Sequence, residues 1–131
     1  MFIKENLNPK NRKTGDCVIR AIAKAEDRTW DEVFDSLVEI AKKWKTVPNH
    51  KDCYGRYLDN CCEKIIKFDD MMYQDENGKH RLTVKQFSEK YSKGAYVLKL
   101  ANHLTCVVDG TVYDLGDWCL SSCPYTAWKI K

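Results

Sequence analysis

Apolar residues recur at helical spacing in the first half of this chain and at the two-residue spacing of strands in the second. Val18, Ile22 and Ala25, with Ala21 beside them, mark a first helix that opens near Cys17. Thr14 or Asp16 stands where a side-chain oxygen can cap that helix's free amides. Thr29 and Glu32 have capping-box spacing. After them Val33, Phe34, Leu37, Ile40 and Ala41 make the apolar face of a second helix running to about Lys43. A third helix is expected over residues 49–63, with Tyr54, Tyr57, Leu58 and Cys61 or Cys62 inward, although Gly55 weakens it. The first ten or so residues are polar, contain Asn8-Pro9, and read as an extended arm or loop.

Residues 65–68 fit a short strand, and Asp75-Glu76-Asn77-Gly78 is a turn signal. Thr83 and Gln86 form a second capping box, opening a short helix that ends near Gly94. The period then changes. Residues 95–101, 104–108 and 111–115 are strands by pattern, with Asp109-Gly110 as a two-residue hairpin turn between the last two. Residues 125–130 form a final strand after Pro124. Helices followed by strands predict one α+β domain over residues 1–131, with N-terminal helices packed on a C-terminal antiparallel sheet.

Composition narrows the functional classes. Of 131 residues, 44% are hydrophobic and 31% charged, which fits a water-soluble globular chain. No apolar run has the length of a membrane span, and no signal-peptide pattern opens the chain, so a cytoplasmic protein with no membrane partner is expected. A net charge of +3 is too mild for a nucleic-acid footprint, and the lysines of 10–13 and 42–45 read as solvated faces. Seven cysteines is an odd number without a secretory context, so reduced thiols are expected, most of them small buried residues.

Three positions carry candidate chemistry. Cys17 stands at a helix start, where free amides and the helix dipole favour the thiolate. His103 borders an apolar strand, whereas His50 and His80 lie in polar surroundings. With Asp109 and Gly110 as the turn, Thr105 pairs with Asp114, which puts Asp114 on the face of His103 and diagonal to it. A carboxylate there fixes the imidazole tautomer and stabilises imidazolium. Asp117 is the second choice, since it falls on the other face if the strand continues. An oxyanion needs donors, for which the Cys17 amide and the side chains of Asn11 or Asn8 are available. Arg20, one turn after Cys17, is either a surface residue or a cleft cation that binds an acidic substrate group or favours the thiolate. Trp118 either covers the sheet or walls the cleft.

The stretches Thr14-Gly-Asp-Cys17-Val-Ile-Arg20-Ala21 and Asn102-His103-Leu-Thr-Cys-Val-Val-Asp109-Gly110-Thr-Val-Tyr-Asp114 resemble the papain-like cysteine peptidase superfamily, in particular its compact phage and bacterial members. The resemblance implies a papain-like fold with Cys17 as nucleophile, His103 as general base and then acid, and Asp114 as orienting residue. It implies a protein or peptide substrate, no cofactor, and, for a phage-encoded member, action on a host protein in the host cytoplasm. Papain's oxyanion glutamine lies six residues before its cysteine; the corresponding position here is Asn11, one methylene shorter. Two other readings compete. One is an inactive papain-like module that inhibits a host defence or regulatory protein. The other is a zinc site built from Cys119 and Cys123 with Cys53 and the Cys61-Cys62 pair, whose spacing is looser than structural zinc sites show.

Overall fold

The computed structural model describes residues 1–131. Its first half runs β1 (Phe2–Lys4), α1 (Cys17–Glu26), α2 (Trp30–Trp44), α3 (Lys51–Cys61) and β2 (Lys64–Lys67). A short 3-10 turn follows, then β3 (Met72–Asp75), β4 (Gly78–Arg81), α4 (Val84–Lys90), β5 (Ala95–Leu100), β6 (His103–Val108), β7 (Thr111–Asp114), a second 3-10 turn (Asp117–Ser121) and β8 (Thr126–Lys129). Both capping boxes close as predicted: Thr29 with Glu32 opens α2, and Thr83 with Gln86 opens α4.

Six strands make one sheet in the order β1-β7-β6-β5-β8-β2. The sheet is mixed, because β1 runs parallel to β7. This corrects the expectation of a wholly antiparallel sheet, and of the two readings of the N-terminal stretch, extended arm or loop, residues 2–4 take the extended one as a paired strand. Three residues with one half-buried Phe2 are too short to show a strand period; what holds them is the exposed edge of β7, a partner far along the chain. The β3–β4 hairpin is separate and was visible beforehand only as its turn.

The strand period assigns the two faces. On β5, Ala95 and Val97 pack with α1, α2 and α3, while Tyr96, Leu98 and Leu100 pack with Phe87 and Val84 of α4. Helix α1 is covered on nearly every side, by β6 below and α2 above, so Val18, Ile19, Ala21, Ile22, Ala23 and Ala25 are all buried. Such a helix is held by packing all round, and its start is correspondingly well fixed. On α3 the buried residues are Cys53, Tyr54 and Leu58, with Tyr57 half-buried beside them; of the two adjacent cysteines Cys61 is exposed and Cys62 packs against the core.

The seven cysteines are all free, but only Cys53, Cys106 and Cys119 are fully buried, fewer than expected. The cysteines named for a zinc site are dispersed: Cys53 Sγ donates to the Leu37 carbonyl, Cys119 Sγ lies against the Gly116 carbonyl, and nowhere do three potential ligands gather. No helix is long and apolar enough to cross a membrane.

Candidate active site

The start of α1, the start of β6 and the end of β7 meet at one rim of the sheet, because β6 and β7 are antiparallel. Two tight turns set the register. Asp109 and Gly110 both take positive φ (48° and 78°), the conformation of a two-residue hairpin turn that matches strand twist. Asn102 at φ 56° closes the β5–β6 connection, so that Leu100 pairs with His103. His103 therefore begins β6, and Asp114 ends β7.

The predicted diagonal is occupied. His103 Nε2 and Asp114 Oδ2 are 2.7 Å apart, and both side chains are largely buried. Asp114 Oδ1 accepts from the Leu115 amide at 2.7 Å and faces Arg20 Nη1 at 3.5 Å. Burial would raise this carboxyl, but His103, Thr105 and the Leu115 amide together hold it below its ordinary 3.8. The Thr105 hydroxyl is buried beside it without a partner at full hydrogen-bond geometry. Asp117 is exposed in the 3-10 turn after β7.

Cys17 is the first residue of α1 and half-buried. It lines the same cleft as His103 and Leu104. Burial alone would raise it; the His103 contact, the Leu104 backbone and the charges of His103 and Arg20 outweigh burial and hold it below 9.0. His103 moves the other way. Burial disfavours its charge, yet the hydrogen bonds to Asp114 and Cys17 raise it from 6.5 to about 9. Since Nε2 faces Asp114, Nδ1 is the nitrogen left to exchange a proton with Cys17. The arrangement favours a thiolate beside an imidazolium.

Asp16 occupies the cap position of α1 but makes no side-chain bond to the helix amides. Three donors claim its buried carboxylate instead: Arg20 Nε at 2.8 Å, Trp30 Nε1 at 2.9 Å and Asn8 Nδ2 at 3.0 Å. Burial pushes this carboxyl up, and those donors pull it below 3.8. The first-turn amides beside Cys17 are consequently left without a side-chain cap. Asp16 as a buried hub was missed in the sequence, although its i,i+4 spacing to Arg20 was a legible acid–base signal.

The tentative residues separate. Arg20 is a buried bridge between Asp16 and Asp114 and does not reach the open cleft, although its charge reaches the thiol. Asn8 is buried and its amide is spent on Asp16. Asn11 is exposed, its carbonyl oxygen accepting from Asn6, and it lines no cavity at Cys17. Shorter than glutamine and turned outward by a positive φ of 52°, it is not brought to the thiol.

Trp118 is 56% exposed and packs its ring 4.7 Å from the His103 ring, so it covers the imidazole rather than walling the cleft. Gly116 makes room for it. A Cβ at Gly116 would lie 2.9 Å from Trp118 Cδ1. Gly116→Ala is expected to push the indole off His103, moving the His103 ring-proton NMR signals while costing at most about 1 kcal/mol of stability. Unmoved signals would show that the indole does not depend on this glycine.

Two cavities touch Cys17. One is a void of about 10 Å³ between Arg20, Asp114 and the thiol, at the lower limit for a single water. The other is an open cleft of about 640 Å³ that includes Cys17, His103, Tyr54 and Leu100, a size that takes a ligand of several groups. Comparison of the chain with protein-family models, with curated proteins and with solved structures finds no match.

Proposed function

We propose that this chain is a papain-like cysteine-nucleophile hydrolase or acyl-transfer enzyme acting on a protein or peptide. The observation that carries the reading is geometric: Cys17 at the start of α1 lines the same cleft as His103, whose ring is paired to Asp114 at 2.7 Å, and there the thiol is held below 9.0 and the imidazole raised to about 9. Burial by itself would do the reverse to both, so the pairing is specific to this contact. An active thiol needs such a proton partner, and that partner needs an orienting group, here Asp114 at 2.7 Å.

In the first step the Cys17 thiolate attacks a carbonyl carbon, forming the S–C bond while the carbonyl π pair moves onto oxygen. The Cys17 amide, in an uncapped first turn, is the donor available to that oxyanion. The oxyanion collapses and the C–N bond breaks. The amine leaves with the proton from His103 Nδ1, and a thioester remains. Water then attacks the thioester as His103 takes one of its protons, the C–S bond breaks, and the acid leaves with the thiolate–imidazolium pair restored. With an amine in place of water the same site transfers the acyl group. Peptidase, isopeptidase and deamidase chemistry share the first half.

The test uses an activated ester, p-nitrophenyl acetate. Mixing it with the protein at pH 7 should release about one equivalent of nitrophenolate in a burst, with the acetyl group found on Cys17. Cys17→Ala should abolish the burst. No burst, together with Cys17 alkylating no faster than free glutathione, would sink the enzyme reading and leave a non-catalytic binding module.

A further inference from the structure

The open cleft has an apolar floor and a basic rim. Val18, Leu100 and Tyr54 line it below, and Lys51 and Lys99 flank it. No aspartate or glutamate lines it, although the chain carries 19 acids. Lys51 opens α3 and is exposed; Lys99 lies on β5 near the turn that leads into His103. Neither lysine is in an ion pair, whereas Lys24 and Lys129 elsewhere both are. The nearest acid by sequence, Asp52, is outside the lining and lies 3.5 Å from His50 Nδ1. The paired thiolate and imidazolium add no net charge, so the two unpaired lysines are what make the rim of this groove basic.

We propose that the cleft selects an acidic peptide segment, with carboxylate side chains on the acyl side of the attacked carbonyl meeting Lys51 and Lys99. The proposal rests on Cys17 being the nucleophile, because that role requires the ligand to bring an acyl carbon to the thiol. That requirement favours a peptide over a phosphodiester. The groups that set the selectivity are the two lysines; the apolar floor accepts side chains of any charge type less discriminately.

The test is a matched pair of probes, the chloromethyl ketones of acetyl-Glu-Glu-Gly and acetyl-Gln-Gln-Gly. Each alkylates the thiolate by forming an S–C bond as chloride leaves. At pH 7 and low salt the acidic probe should label Cys17 about tenfold faster than the neutral one, the scale of two unit charges acting near a surface. In Lys51→Gln/Lys99→Gln the ratio of the two rates should fall to near one. Using the ratio removes any general change in thiol reactivity. Equal rates in the wild type, or an advantage that survives the double substitution, would overturn acidic selectivity while leaving Cys17 as nucleophile. If neither probe nor iodoacetamide labels Cys17 faster than free glutathione, the nucleophile reading itself fails, and this proposal with it.

Discussion

Replacing His103 with alanine is expected to slow alkylation of Cys17 by iodoacetamide at pH 6.5 on the order of a hundredfold. The thiol keeps its burial, which raises it, and loses the contact that outweighs burial. A thiol returned to 9.0 or above is ionised to about one part in 300 or less at that pH. In the wild type the rate should stay high across the neutral range. Acyl transfer should fall on the alkaline side near pH 9, where His103 gives up the proton the leaving group needs. Stability responds differently. Taken alone, the raised value of His103 stabilises the fold fully below 6.5, and that gain is lost as pH climbs to about 9. The lowered value of Cys17 acts oppositely, contributing more as pH climbs through its own titration toward 9.0. The two offset in the shared window, so the pair is read by reactivity, not by melting temperature. A rate in His103→Ala within twofold of wild type would show that the imidazole does not activate this thiol.

Arg20→Met is expected to cost about 3–5 kcal/mol at pH 7, measured by chemical denaturation. The guanidinium is the cation bridging two buried carboxylates, and methionine fills much of its volume without its charge. Asp16 and Asp114 would then be buried anions with weakened compensation. Both have lowered values, so in the wild type each contributes stability that is present above the ordinary 3.8 and lost as pH falls. The deficit of Arg20→Met should therefore shrink as pH drops through about 4, where neutral carboxyls no longer need a cation. Arg20→Lys, keeping charge but not the fork, should recover part of the loss. A deficit independent of pH would mean that the arginine stabilises by packing alone. As a positioning residue, Arg20 should also affect labelling of Cys17, because it holds the oxygen of Asp114 that His103 does not use.

Features written in short stretches of chain were readable before folding. Thr29 with Glu32, Thr83 with Gln86, and Asp109 with Gly110 each state a local geometry, and the hairpin register followed from the last of these. That register alone was enough to pair His103 with Asp114 in preference to Asp117. Features that depend on distant partners were not readable. Asp16 looked like a local cap; its actual partners come from residues 8, 20 and 30, and charge and hydrogen-bond competition among them decided its role. Asn11 matched a spacing, yet backbone conformation turned it outward. Lys51 and Lys99 face one cleft from positions 48 residues apart, a relation no periodicity records.

The strand at Phe2–Lys4 bears on the order in which this molecule can come into being. Lys4 is registered against Asp114, and the Glu5 amide donates to the Asp114 carbonyl at 2.9 Å. Residues 2–5 and residues 112–114, more than a hundred positions further along, are therefore hydrogen-bonded neighbours. Loop closure of that length is slow and comes late. During synthesis Cys17 leaves the ribosome long before His103 and Asp114 exist, and β1 has no edge to join until β7 is made. A nascent chain thus carries an ordinary thiol, and reactivity arrives only when residues 103–114 close back on the start of α1.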